Sequence, residues 1–312
     1  ILIEVMFVGI NNYDLKNYAN KDSIFPMVPG LEVSGVIQNV GSNVIQFCPG
    51  MLVGVSKIVD SCRQCEMCLN KHYSYCEKGP TFIYNDRNSY NHSNEMGFPT
   101  FGGLSQVMVV NKDYVIRIDG NVNLAKLTPL LYTGSLSYSP MKNYGLKPGH
   151  KIGIIGINEV GQIAVKLAVS LGADVTVFDN SDSKKSMCLY ELKADEFINT
   201  NYKEEFNKYN NTFDFILDTR FESDSINNFV ELLKMNGEIS IINKSSDEIS
   251  DLIKNCNIGN KTIKKASLPS HKEIQELVSL CAYNKIYCDT ELLYAYQINE
   301  ALEIIKNSEN KS

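Results

Sequence analysis

From Lys151 onward the chain alternates short apolar runs with amphipathic stretches, and this alternation constrains the fold more than any other feature. KIGIIGI reads as a buried strand, and VGQIAVKLAVSLG as an amphipathic helix closed by Gly172. DVTVFD is a second strand, and SDSKKSMCLYELKA a second helix opened by a Ser/Asp cap. DEFIN, FDFILD, a helix near 224–235, GEISIIN, another helix and KTIKKASL complete the series. Six strands with intervening helices predict an α/β fold, a doubly wound parallel sheet of the Rossmann type.

The first of these strands turns into its helix through Gly156-Ile157-Asn158-Glu159-Val160-Gly161. A dinucleotide fingerprint, G-x-G-x-x-G, belongs at such a turn. Gly156 and Gly161 supply its first and last glycines, but Asn158 stands at the middle one. Glycine there lets backbone amides approach a pyrophosphate at the helix N-terminus. Asparagine tolerates unusual dihedrals, yet its side chain takes up room, so weakened cofactor binding is expected. Asp179 ends the second strand, 23 residues after Gly156. A carboxylate there accepts hydrogen bonds from a ribose diol and repels a 2′-phosphate, which leans toward NAD over NADP. Lys184 and Lys185 soften that lean if either faces a phosphate; otherwise they form a solvated helix face.

Cys62, Cys65, Cys68 and Cys76 follow the spacing C-x2-C-x2-C-x7-C. Thiolate pairs two residues apart reach one ion from a single turn, and four sulfurs leave zinc no position for water or substrate. The expectation is a closed, structural zinc site, with His72 a surplus loop residue. Cys48, Cys188, Cys256, Cys281 and Cys288 are scattered, so a reduced protein with one metal cluster fits better than a disulfide scaffold. With a net charge of −6, nothing steers the chain toward nucleic acid or an anionic membrane. No apolar run is long enough to span a bilayer. No signal peptide is visible, and a cytoplasmic address is expected. The chain opens as ILIEVMFVG, without Met and already strand-like, which leaves open a missing leading segment and the address it would carry.

The cysteine loop ahead of a Rossmann half resembles the zinc-dependent medium-chain alcohol dehydrogenases, in their cinnamyl-alcohol-dehydrogenase-like branch. FPMVPGLEVSGVIQNVGSNV, VDSCRQCEMC, FGGLSQVMVV, TPLLYTGSLSYSPMK, GADVTVFDNSDSKK and FDFILDT carry the resemblance. It implies a GroES-like, mainly β catalytic domain formed by 1–132 and 270–312, with a structural zinc lobe at about 60–78. The Rossmann domain would be 133–269. It also implies a small-molecule substrate and a homodimer joined through the sheet edge at KTIKKASL. The family's first strands would precede Ile1, and its closing strand after INEALEIIKNSEN has no counterpart here, which implies a fragment or a remodelled small domain.

The resemblance also exposes a loss. The family's three catalytic-zinc ligands, Cys, His and Cys, correspond to Val8 in VGINNYDL, Leu31 in PGLEV and Tyr132 in PLLYTGS. Glu32, beside the His position, survives, but one carboxylate does not hold a three-ligand zinc. His72, His92, His150 and His271 lie outside these motifs. Ile10 replaces the proton-relay hydroxyl, and Asp14 matches a family Asp whose role is expected to be structural. Three readings follow. One is a zinc-independent NAD(P)H-dependent reductase of a small aldehyde or activated double bond, with Tyr132, or else Tyr13, giving the proton. Tyr132 and Leu31 could instead simply fill the space left by the metal. The second reading is an inactive nucleotide- or partner-binding module. The third is an ordinary alcohol dehydrogenase that recruits zinc through Glu32 and other residues. YNDRNSYNHSNEMG, with His92, reads as a polar surface loop.

Overall fold

The computed structural model describes residues 1–309 other than 89, 91–96, 203, 205–206, 221–225 and 255–258; for 207 and 307–309 it describes the backbone alone. His92, Cys256 and the start of the helix expected near 224–235 lie outside the described residues. The chain divides into two compact units, Ile1–Tyr132 with Ser270–Ser312, and Thr133–Pro269.

The first unit begins with strand β1 (Leu2–Gly9), helix α1 (Asn12–Ala19) and strands β2 (Glu32–Asn39) and β3 (Leu52–Val55). Strand β4 (Ile58–Asp60), the single turn α2 (Glu66–Leu69) and the short strands β5 (Thr81–Phe82), β6 (Arg87–Asn88) and β7 (Phe98–Pro99) follow. Strands β8 (Val107–Val109) and β9 (Val115–Arg117) and helix α3 (Leu124–Leu127) complete the segment. An antiparallel sheet runs in the order β8-β1-β2-β3-β9. Ile3, Val33, Ile37, Val53, Val55 and Val115 pack into one buried cluster on one face of it. Gly35 is required where β1 and β2 meet, because a Cβ there would lie 2.0 Å from the Glu4 carbonyl oxygen. Asn11 starts α1 with a capping box: its side chain accepts from the Tyr13 amide, and the Asp14 carboxylate accepts from the Asn11 amide.

The second unit opens with helix α4 (Thr133–Tyr144), then strand β10 (Lys151–Ile155), helix α5 (Glu159–Ser170) and strand β11 (Asp174–Asp179). Strands β12 (Glu196–Asn199) and β13 (Phe213–Asp218), helix α6 (Asn227–Leu232), strand β14 (Leu233–Ile241), helix α7 (Ser246–Lys254) and strand β15 (Thr262–Lys265) follow. All five pairings of the sheet β12-β11-β10-β13-β14-β15 are parallel, as expected of a doubly wound fold. Strand order reverses between β10 and β13, and ligands of such sheets bind at that crevice. α5 buries Val160, Ile163, Ala164, Leu167 and Ala168, and Gly172 ends it at φ +77°.

Two local expectations differ from the structure. The stretch after Asp179 forms a 3-10 turn over Asp182–Lys184 and a π turn over Met187–Glu191 rather than one regular helix. The Ser181 hydroxyl, the expected cap, bonds the Ser183 hydroxyl at 2.7 Å and leaves the helix amides uncapped. The helix expected to reach 235 ends at Leu232, because Leu233 turns extended (φ −69°, ψ 139°) and begins β14.

The return segment carries helix α8 (His271–Asn284) and helix α9 (Ile298–Glu309). Ser270 and Glu273 form the capping box of α8. The Gln275 amide accepts from the Arg117 N–H and donates to the Arg117 carbonyl, each at 2.8 Å, and so satisfies the edge of β9. Among the described residues no helix is long and apolar enough to cross a membrane.

Candidate functional site

Three groups of residues in the two units carry chemistry. The first is the cysteine lobe. The sulfurs of Cys62, Cys65, Cys68 and Cys76 all lie within 4.8 Å of one another, and they are free thiols. The Cys62–Cys68 sulfur separation is 3.8 Å. Two ligands on a tetrahedral zinc with bonds of about 2.3 Å stand about 3.8 Å apart. Arg63 and Lys71 take φ values of +59° and +61°, which folds the loop tightly enough for this approach. Backbone amides then point at sulfur: Cys65 N–H to Cys62 Sγ at 3.4 Å and Cys62 N–H to Cys76 Sγ at 3.5 Å. The amides of Gln64 and Cys65 pull the Cys62 thiol below its ordinary range, whereas burial pushes Cys68 up to about 12. A divalent cation would deprotonate all four at once, so the residues fit a zinc ion. His72 is exposed and outside the cluster. No other group of three or more metal-binding side chains converges among the described residues.

The second group is the β10–α5 turn. Gly156 has φ +84°, a backbone that other residues rarely adopt. A Cβ on Gly161 would lie 2.1 Å from the Gly156 carbonyl oxygen, so only glycine lets the helix start this close to the strand end. These two glycines fit a dinucleotide turn. Asn158 departs from it in a specific way. Its Oδ1 accepts from the amides of Val160 (3.1 Å) and Gly161 (2.9 Å), and its Nδ2 donates to the Thr219 carbonyl at 2.7 Å. The side chain caps the helix with the amides that would otherwise meet a phosphate. Asp179 is buried at the end of β11. Its carboxylate accepts from the Ile157 amide (2.9 Å), the Ser181 amide (3.1 Å) and Lys184 Nζ (3.1 Å). Arg220, at the end of β13, forms a two-point ion pair with buried Asp218.

The third group lies in the first unit. Val8, on β1, and Leu31 are apolar; a Cβ at Gly30 would meet the Val8 side chain at 2.6 Å, and Leu31 is fully buried. Tyr132 follows the 3-10 turn Thr128–Leu131, with its ring 6.2 Å from that of Tyr13 and edge-on to it. Burial, and then the neighbouring Tyr13, Glu32 and Asp14, push the Tyr132 phenol well above its ordinary range. Tyr13 is raised as well, chiefly by burial. Asp14 is a tie point: its Oδ1 accepts from the Gly30 amide (3.0 Å) and the Tyr84 hydroxyl (2.7 Å). Glu32 Oε1 accepts from the Asn11 amide group at 2.6 Å.

Sequence reading missed Lys57, between β3 and β4. Its Nζ lies 4.1 Å from the Tyr13 ring centroid, 4.5 Å from that of Phe82 and 5.5 Å from that of Tyr132. Burial lowers its pKa to about 8. The available signal was a lysine inside the largely apolar run LVGVSKIV.

The chain matches the alcohol dehydrogenase GroES-like domain over residues 1–120 and the zinc-binding dehydrogenase family over residues 160–283. It is 35% identical over 311 residues to the probable cinnamyl alcohol dehydrogenase 2 of Picea abies, covering 98% of this chain and 85% of that protein. It is 35% identical over 311 residues to the aldehyde reductase YahK of Escherichia coli, covering 97% of this chain and 86% of that protein. The structure of a cinnamyl alcohol dehydrogenase from Helicobacter pylori complexed with NADP(H) matches it with a TM-score of 0.86 and 31% identity, over 99% of this chain and 87% of that one. Together with the GroES-like and Rossmann units and the cysteine lobe, these likenesses establish that the chain belongs to the zinc-type medium-chain alcohol dehydrogenase family, as an alcohol-dehydrogenase-like, NAD(P)-dependent oxidoreductase.

Proposed function

We propose that this oxidoreductase reduces small aldehydes or activated double bonds without a catalytic zinc, and that its one zinc is the structural ion of the cysteine lobe. The chemistry at Val8, Leu31 and Tyr132 carries the reading: two of the three ligand positions have no donor atom, and the third holds a phenol whose proton is raised. A zinc would not fit there. Without a Lewis acid, an alcohol loses several kcal/mol of help in becoming an alkoxide, whereas an electron-poor carbonyl or enal needs less. Tyr13 and Tyr132 line the substrate site, and neutral Tyr132 hydrogen-bonds the carbonyl oxygen. We assign the dinucleotide to Gly156, Asn158, Gly161, Asp179 and Lys184. When bound, the nicotinamide supplies hydride; Asp179 receives the ribose diol, and NAD is the preferred form. The homodimer and the cytoplasmic address stay part of this proposal.

The test is initial-rate oxidation of NADH and NADPH with benzaldehyde and cinnamaldehyde, with and without 1,10-phenanthroline. Turnover that the chelator leaves unchanged on the timescale of the assay is expected. Prompt, reversible inhibition competitive with aldehyde would overturn the proposal.

A further inference from the structure

We propose that Lys57 is the proton donor of the reduction, a catalytic residue whose ammonium faces the substrate oxygen from within a cage of three aromatic rings. This inference rests on the reductase reading. The cage joins distant parts of the chain: Tyr13 from α1, Phe82 from β5 and Tyr132 after the 3-10 turn. Aromatic faces hold a cation through their quadrupoles but take no proton from it. Among the described residues no carboxylate forms an ion pair with this amine, and burial lowers its pKa. A surface lysine avoids such a cost by extending its head into water. An uncompensated amine next to the phenol at a former ligand position is the pattern of a functional group.

The chemistry balances. The carbonyl carbon takes the hydride supplied by the reduced nicotinamide, the C=O π pair moves to oxygen, and that oxygen takes a proton from the Lys57 ammonium. The neutral amine recovers a proton from bulk solvent, so aldehyde, reduced dinucleotide and one solvent proton become the alcohol and the oxidised dinucleotide. A donor with a pKa near the working pH is well matched to this task. Tyr132, whose raised phenol resists giving up its proton, is a hydrogen-bond donor only. Among the described residues, the titratable groups around the amine are the phenols of Tyr13 and Tyr132, with Asp14 and Asp86 acting on Tyr13 and Glu32 and Asp14 acting on Tyr132. Both phenols stay neutral across the range in which Lys57 titrates, so one ionisation governs the profile.

Two measurements on the full chain test this. Competitive acetylation across pH, read by mass spectrometry, should give Lys57 a midpoint near 8. In parallel, kcat for benzaldehyde reduction should fall as pH rises through about 8. Lys57→Met should lower kcat by about 100-fold or more while melting no lower than the parent. Lys57→Arg keeps the charge and should abolish the fall near pH 8. If the parent is active and Lys57→Met retains its kcat and pH profile, the proton-donor role is wrong and the reductase reading stands. If the parent reduces no aldehyde while Lys57 still titrates near 8, the reductase reading fails and takes this role with it.

Discussion

Replacing Asn158 by glycine should tighten dinucleotide binding while loosening the fold. The Asn158 amide group makes three hydrogen bonds: two accepted from the first turn of α5 and one donated to the Thr219 carbonyl. Asparagine to glycine at an N-cap costs a few tenths of a kcal/mol, and losing the bond to Thr219 costs about 1 kcal/mol. The melting temperature should therefore drop by roughly 3–5 °C. The two released amides gain a charged acceptor. A hydrogen bond to a charged group contributes about 1 kcal/mol more than a neutral one. Two of them give about 2 kcal/mol, or roughly 10–30-fold in Kd. Isothermal titration with NADH and ADP-ribose should show this gain, and adenosine, which lacks the pyrophosphate, should not. Unchanged or weaker NADH binding by a folded Asn158→Gly protein would refute the reasoning, because it would mean that the asparagine never competes for those amides.

Two further outcomes follow from the same geometry. Asp179→Ser removes the buried carboxylate that pairs with Lys184, and it should move the NADPH-to-NADH affinity ratio toward NADPH by about tenfold as like-charge repulsion is lost; titration of both cofactors checks this. Tyr132→Phe should lower kcat/KM for aldehyde by about tenfold, through one lost hydrogen bond, and should leave the pH profile unchanged, because the titrating group is Lys57; steady-state kinetics across pH measures both.

The nucleotide fold was legible because its signals are local. A buried run, a glycine turn and an amphipathic helix each declare themselves within a dozen residues, and β10, α5 and β11 stand where those patterns place them. The cysteine spacing was legible for the same reason, since a small loop brings its ligands together. Asn158 was half legible. The absent glycine marked crowding, but the physical effect is the capping of two amides by Oδ1. Lys57 was not legible. Its environment comes from Tyr13, Phe82 and Tyr132, residues far from it and from one another in sequence, and long-range packing of that kind leaves no periodic trace. The stretch after Asp179 failed for a smaller reason: Ser181 bonds Ser183 rather than the helix it was expected to cap.

The central claim is that one ion braces the protein and none works at the substrate, and a metal count tests it most directly. Elemental analysis of purified full-length chain, dialysed against metal-free buffer, should give one zinc per chain. Cys62→Ser with Cys65→Ser should reduce that to none and lower the melting temperature. A second zinc that remains in the doubly substituted protein, and whose removal abolishes aldehyde reduction, would contradict the account.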